Sequence, residues 1–137
     1  MSHPLTIAER VFGIVNDFPN SPALEILGSK PLSLADLWAL ASSYARLVEP
    51  VQGQIALGLP RSPEWIAALL GCWIQGRAPV ILDPDWPEQR RKKIAREAQV
   101  TLTITEALPP AESHVAPCPL PSDKPAYIIY SSGSTGQ

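Results

Sequence analysis

Between Gln54 and Leu82 the chain reads as a strand, a helix and a second strand, and this unit restricts the fold more than any other feature. Gln54-Ile55-Ala56-Leu57-Gly58-Leu59 has little polar character, as expected of a strand covered on both faces. Pro60-Arg61-Ser62-Pro63 follows, in which Ser62 is a strong N-cap and Pro63 a favoured first helical residue, together worth about 1–2 kcal/mol over alanine. The predicted helix runs through Gln75, with Gly76 as its left-handed stop. Trp65, Ile66, Leu69, Leu70, Cys72, Trp73 and Ile74 leave almost no polar face, which predicts burial nearly all round. Ala78 to Leu82 is the returning buried strand.

The downstream sequence repeats the alternation. Asp83-Pro84-Asp85-Trp86-Pro87 is a loop opening a helix from Glu88 to Gln99, with Ile94, Ala95 and Ala98 inward. Val100 to Thr105 alternates threonine with aliphatic residues and reads as a strand. Residues 106–125 form a proline-rich connection, predicted to lie on the surface; Leu108 to Pro125 holds six of the sixteen prolines. Ala126 to Tyr130 reads as a last buried strand. The order predicts right-handed βαβ units: an α/β fold, mostly parallel sheet with flanking helices.

Upstream, Thr6 caps a first helix to about Asp17, with Ile7, Val11, Ile14, Val15 and Phe18 at helical spacing. Pro19-Asn20-Ser21-Pro22 ends it. Ala23 to Leu27 is a short strand that Gly28-Ser29 turns back toward Pro31-Leu32. Ser33 and Asp36 have the spacing of a capping box for a second helix, whose apolar stripe is Leu34, Leu37, Trp38, Ala41, Tyr44, Ala45 and Val48.

Hydrophobic content of 45% and charged content of 18% fit a folded globule. The net charge of −2 gives no bulk attraction to nucleic acid or to an anionic membrane. Trp65 to Ile74, the most apolar stretch, is too short to span a bilayer. Met1-Ser2-His3-Pro4 does not read as the start of a signal peptide. Cys72 and Cys118 sit in unlike settings, which predicts free thiols in a reducing, cytoplasmic compartment. Arg90-Arg91-Lys92-Lys93 with Arg96 is either a nucleic-acid patch or a solvated helix face, and the lack of interleaved aromatics favours the latter. Asp83, Asp85 and Glu88 suggest either a cation site or carboxylates at a helix N-terminus, and their position favours the second. His3 and His114 lack partners at ligand or triad spacing, so no metal ligand or catalytic residue is assigned.

After the last strand come Ser131, Ser132, Gly133, Ser134, Thr135, Gly136 and Gln137. Composition alone fits a flexible tail. A strand directly before such a run instead fits a phosphate cradle: Gly133 and Gly136 let backbone N–H groups converge on an anion, and the hydroxyls add donors. No Gly-Lys-Ser/Thr follows, which separates it from the common P-loop.

Three stretches, in order, resemble the N-terminal portion of adenylate-forming enzymes, the superfamily of acyl-CoA synthetases, nonribosomal peptide synthetase adenylation domains and firefly-type luciferases. They are Leu32-Ser33-Leu34-Ala35-Asp36-Leu37; Ile55 to Pro87 with Ser62-Pro63-Glu64-Trp65, Gly76 and Leu82-Asp83-Pro84; and Ala126 to Gly136. The resemblance implies that Ser131, Ser132, Gly133, Ser134, Thr135 and Gly136 belong to a phosphate loop, 131–137, for the β- and γ-phosphates of ATP. Ser131 stands where the family usually has threonine. The Leu-Asp-Pro junction and the Tyr-Ile-Ile-Tyr strand look closer to adenylation domains and aryl or acyl ligases than to luciferases. The complete enzyme is implied to use ATP and Mg2+, a carboxylic acid, and a CoA or carrier-protein thiol. The family's proline–lysine–glycine continuation, acyl pocket, magnesium-binding glutamate, ribose-binding aspartate and C-terminal domain have no counterpart in these residues. The expectation is therefore an incomplete N-terminal domain over 1–137, inactive alone, that self-associates or meets a complementing chain through apolar surface. The alternatives are a non-catalytic α/β interaction module, one subunit of a split adenylating enzyme, or a small free-standing nucleotide-binding protein.

Overall fold

The computed structural model describes residues 7–24, 32–117 and 128–129. Helix α1 (Ile7–Asp17) leads to a small antiparallel pair, β1 (Pro22–Leu24) with β2 (Leu32–Ser33). Helix α2 (Leu34–Val48) starts directly on β2. Ser33 Oγ accepts the Asp36 N–H at 3.0 Å and Asp36 Oδ2 accepts the Ser33 N–H at 3.4 Å, so the capping box closes with aspartate in the usual glutamate place.

Four parallel strands follow: β3 (Gln54–Leu57), β4 (Val80–Ile81), β5 (Val100–Ile104) and β6 (Ile128–Ile129). Their order across the sheet is β5-β3-β4-β6. Helix α3 (Pro63–Ile74) connects β3 to β4, and α4 (Glu88–Glu97) connects β4 to β5. The two connections travel in opposite directions across the sheet. Right-handed crossovers must then put the two helices on opposite faces. The packing agrees. Ile55, Leu57, Ile81 and Ile104 join a core with α1, α2 and α3, while Ala56, Val80 and Leu82 meet Ile94 of α4 on the other face. Alternation along β3 therefore assigns neighbouring residues to different clusters, as the two-residue strand period requires.

The α3 terminus forms as its residues dictate. Ser62 Oγ accepts the Trp65 N–H at 3.2 Å, Pro63 opens the helix, and Gly76 closes it at φ +70°. Burial is less complete than the sequence suggests. Ala67, Ala68, Leu70, Gly71, Cys72 and Ile74 are buried, but Trp65, Leu69 and Trp73 are half-buried and Ile66 is 36% exposed. The helix packs mainly on α2, then on α1 and β3, which leaves one side uncovered among the described residues.

Helix α1 turns a different face inward from the one its apolar spacing suggests. Ala8 and Val15 are buried, with Val11 and Phe12 packed against the core, while Ile7, Ile14 and Phe18 are 50–59% exposed. The Phe12 ring sets this rotation by lying 5.0 Å from the Trp38 ring at a 35° tilt. Helix α4 also ends earlier than Gln99: Ala98 caps it and Gln99 takes φ +60° before β5. The strands at β3, β4 and β5 are shorter than their sequence runs.

Candidate functional site

The edge of the sheet at the carboxyl ends of β3 and β4 is where the two crossovers part, and open α/β sheets present ligand crevices at such a point. Gly58 and Leu59 leave β3 there, and Leu82 and Asp83 leave β4. The Gly58 N–H donates to the Ile104 carbonyl at 2.8 Å and the Leu82 N–H to the Leu57 carbonyl at 2.9 Å, so pairing continues past the strand ends. A Cβ on Gly58 would meet Thr103 Cγ2 at 3.2 Å and Thr105 Cγ2 at 3.3 Å, which favours glycine against β5.

Two turns furnish this edge. Ser62 Oγ donates to the Pro60 carbonyl at 2.9 Å while capping α3, which fixes the turn that carries Arg61. The Arg61 guanidinium stacks over the Trp65 ring at 4.1 Å, a pairing that periodicity does not disclose. On the β4 side, Asp83 Oδ1 accepts the Asp85 N–H at 2.8 Å and the Asp83 carbonyl accepts the Trp86 N–H at 3.1 Å. Asp83 thus holds its own turn. No group of three His, Cys, Asp or Glu arranged for a metal ion occurs among the described residues.

The basic run on α4 folds back on its own helix. The Arg90 guanidinium lies 4.3 Å over the Trp86 ring and Arg91 Nε donates to the Trp86 carbonyl at 3.1 Å. Lys92 and Lys93 face Glu88 and Glu97 at 3.7 and 4.0 Å, exposed pairs of little energetic weight. His114 is exposed, and His3 lies outside the described residues.

Strand β6 lies beside β4, with Ile128 opposite Val80 and Ile129 opposite Ile81, so it points to the same edge. Ser131 follows two residues after Ile129. The candidate phosphate-binding residues Ser131, Ser132, Gly133, Ser134, Thr135 and Gly136 lie outside the described residues, as does Cys118.

The connection from β5 toward β6 shows a feature the sequence reading missed. From Glu106 to Pro117 it contains no helix or strand, yet it is fastened along α2. Tyr44 Oη accepts the Leu108 N–H at 3.0 Å and donates to the Glu106 carbonyl at 3.2 Å. Ser43 Oγ donates to the Pro109 carbonyl, and the Ala111 N–H donates to the Ala39 carbonyl at 2.9 Å. Ser42 Oγ accepts the Val115 N–H at 2.9 Å, and Trp38 Nε1 donates to the Val115 carbonyl at 2.9 Å. Trp38, Ser42 and Tyr44 are wholly buried. Burial pushes the Tyr44 hydroxyl up from its ordinary pKa, with the Leu108 N–H opposing and Glu64 adding to the rise. Their partners lie 62 to 77 residues away in sequence, so no local pattern marks them.

Open α/β sheets present ligand crevices where connecting helices part in this way, and in the sequence a hydroxyl- and glycine-rich run follows β6. Comparison with known proteins is more specific. Residues 12–118 match the family described as AMP-binding enzyme. Pyochelin synthetase PchE of Pseudomonas aeruginosa is 41% identical over 96 residues, covering 60% of this chain and 7% of its own length. The Klebsiella oxytoca NpsA N-terminal subdomain, solved in complex with 3-hydroxybenzoyl-AMSN, shares the fold at a TM-score of 0.79 and 21% identity, covering 97% of this chain and 39% of that subdomain chain. PA1221, a nonribosomal peptide synthetase protein containing adenylation and PCP domains bound to a vinylsulfonamide inhibitor, aligns at a TM-score of 0.76 and 25% identity, over 98% of this chain and 27% of its own. The chain belongs to the AMP-binding enzyme family, and its fold is that of the N-terminal portion of an adenylation domain. It spans less than half of each of these proteins.

Proposed function

We propose that this chain forms the entrance and phosphate-binding side of an ATP-dependent carboxylate-activating site. A carboxylate oxygen of the acid attacks the α-phosphorus of ATP, the bond to the bridging oxygen breaks, and pyrophosphate leaves with that electron pair. The acyl adenylate is then attacked by a thiol, carrier-protein phosphopantetheine or CoA, and AMP leaves. Ser131, Ser132, Gly133, Ser134, Thr135 and Gly136 hold the β- and γ-phosphates through N–H and hydroxyl donors, so that charge gathering on the leaving pyrophosphate meets fixed dipoles. Mg2+, when bound with ATP, would supply charge neutralisation on the polyphosphate.

The observation that carries the reading is β6: a parallel strand at the crossover-parting edge, two residues ahead of the Ser/Gly run, in a chain whose family binds AMP. The presence of adenylation and PCP domains together in PA1221 supports a carrier-protein thiol as acceptor. A cytoplasmic setting is part of the proposal, in keeping with the buried free thiol of Cys72.

The test is ATP–pyrophosphate exchange on the full protein against aryl, aliphatic and amino acids. Label should move from pyrophosphate into ATP with one acid class and fall sharply when Gly133 is changed to Val. Folded protein that neither exchanges with any class nor binds ATP would refute the assignment. Residues 1–137 by themselves should form no acyl adenylate.

A further inference from the structure

An open cavity of about 490 Å3 lies between the second half of α2 and residues 108–113, and none of its lining residues belongs to the β3–β4 edge. Its shape follows from two prolines. Pro109 and Pro110 have no N–H, so this stretch of the connection cannot donate to α2. Ser43 Oγ donates to the Pro109 carbonyl, and the Ala111 N–H then reaches the Ala39 carbonyl, one turn nearer the start of the helix. A bend at Glu112 and Ser113 brings the chain back, where Arg46 Nη2 donates to Ser113 Oγ at 2.6 Å. Ser43 and Arg46, three residues apart, share a face of α2. The cavity is bounded by that face and by this out-and-back path.

Three kinds of chemistry line it. A guanidinium carries several N–H donors, and the hydrogen-bond partner of Arg46 among the described residues is a neutral hydroxyl. Glu112 brings a carboxylate to the same cavity, yet among the described residues neither Arg46 nor Glu112 forms an ion pair. Leu108, Pro109 and Pro110 supply an apolar wall. Arg46 stands in the last turn of α2, where its charge also suits the helix carbonyls. That role would be met by a side chain lying along the helix, whereas Arg46 is tied across to Ser113 on the connection. A ligand bearing one charge gains from one of the two ionic groups and is repelled by the other. A ligand bearing both charges and an apolar side chain meets all three kinds of lining.

We propose that this cavity binds a zwitterionic amino acid with an aliphatic side chain. The Arg46 guanidinium takes the carboxylate, Glu112 takes the ammonium group, and Leu108 and Pro110 take the side chain. The site is separate from the carboxylate-activating chemistry and does not depend on it. A ligand held from both sides ties the connection to α2, so its binding stabilises the folded protein.

The experiment titrates L-leucine into the folded full protein by calorimetry, with thermal unfolding recorded alongside. Leucinamide, which lacks the carboxylate, and isocaproate, which lacks the ammonium group, are titrated in parallel. Leucine should bind saturably and raise the unfolding temperature, and each one-charge analogue should bind at least about fivefold more weakly. Arg46→Gln should weaken leucine by about five- to tenfold and remove its advantage over leucinamide; Glu112→Gln should remove its advantage over isocaproate. Both residues are exposed, so these variants keep the fold. The double exchange of Arg46→Glu with Glu112→Arg should bind leucine more tightly than Arg46→Glu alone, which a purely structural role for either charge would not produce. Leucine affinity unchanged in Arg46→Gln and Glu112→Gln would place the bound leucine elsewhere, the activation site included, and overturn the proposal. Absence of saturable leucine binding by the folded wild-type protein would overturn it equally, and neither result bears on the function proposed above.

Discussion

Helices α2 and α3 make the most extensive contact between elements in the structure, and Gly71 is where they come closest. A Cβ built on Gly71 would lie 2.7 Å from the Ala41 carbonyl oxygen, 2.7 Å from Tyr44 Cβ and 2.9 Å from the Ala45 nitrogen. Two of these neighbours are backbone and the third is the root of a buried side chain, so no flexible end can move aside. Gly71→Ala sets two effects of opposite sign against each other. In an unencumbered helix, alanine is favoured over glycine by about 0.8–1 kcal/mol. Here the methyl needs roughly another 0.7–1 Å to reach ordinary carbon contact, and opening a close-packed interface by that amount forfeits a quarter to a half of the dispersion well across it. Overpacking costs about 1–3 kcal/mol, and with all three contacts under 3.0 Å and none able to yield, the upper part of that range, about 2–3 kcal/mol, applies; less the alanine gain of about 0.8–1 kcal/mol, the variant should be less stable by about 1–2 kcal/mol. Gly13 in α1 is the internal comparison. It is exposed, with nothing within 4 Å of its added Cβ, so Gly13→Ala should stabilise by about 0.5–1 kcal/mol. Urea unfolding followed by far-ultraviolet circular dichroism measures both, with the slope checked for constancy. A Gly71→Ala protein as stable as wild type, alongside a stabilised Gly13→Ala, would show that the helices part freely and that the close approach does not constrain the fold.

Ser62→Ala should cost about 1 kcal/mol in the same unfolding assay, because it leaves the Trp65 N–H without its cap. Arg77→Ala should cost about 1–2 kcal/mol and loosen the turn before β3, since Arg77 Nη1 donates to the Val51 carbonyl at 3.0 Å and Nη2 to the Gly53 carbonyl; Arg77→Lys, without the fork, should recover less than half of that loss. Cys72 should resist a thiol reagent at pH 8 until urea unfolds the chain. Burial pushes its pKa from 9.0 up to about 12 against a lowering by Arg77. The native thiol then holds its proton where the unfolded one has lost it, so stability is unaffected below about pH 9 and falls as pH rises from 9 toward 12. The Tyr44 hydroxyl, also raised, adds to that alkaline loss. Ile14→Lys with Phe18→Ser should lower the binding of a hydrophobic dye to residues 1–137 without lowering stability, because Ile14 on α1 and Phe18 just after it are both exposed; undiminished dye binding would place the apolar surface elsewhere.

The legible part of the fold was the part written locally. The Ser33–Asp36 box, the Ser62-Pro63 start and the Gly76 stop each depend on residues within a few positions of one another, and each forms. The parallel sheet followed from the spacing of strands and helices. What local pattern left open was rotation and termination. Ile7, Ile14 and Phe18 have the spacing of a buried stripe, but Ala8 and Val15 with Phe12 make an alternative stripe, and the Phe12–Trp38 contact decides between them. Gln99 carries no glycine-like signal for a positive φ; its conformation follows from joining α4 to β5. The Ser/Gly run was read from composition and resemblance, whereas the cation–π stack of Arg61 on Trp65 depends on the geometry of a turn that sequence does not display.

The handedness of the three crossovers explains both the edge between β3 and β4 and the course of the β5–β6 connection along α2. Two connections run one way across the sheet and one runs the other way, so α3 and the β5–β6 connection share a face while α4 takes the opposite one. The parting of α3 from α4 opens the edge between β3 and β4. Sharing a face makes the later connection an outer layer over α2. A proline-rich segment has fewer N–H groups to satisfy; the Ser42 and Tyr44 hydroxyls accept from those of Val115 and Leu108, while the Trp38 indole and the Ser43 hydroxyl donate to the Val115 and Pro109 carbonyls. The buried polar atoms of Trp38, Ser42 and Tyr44 and the prolines of residues 106–117 thus answer the same need, separated in the chain because the sheet stands between them.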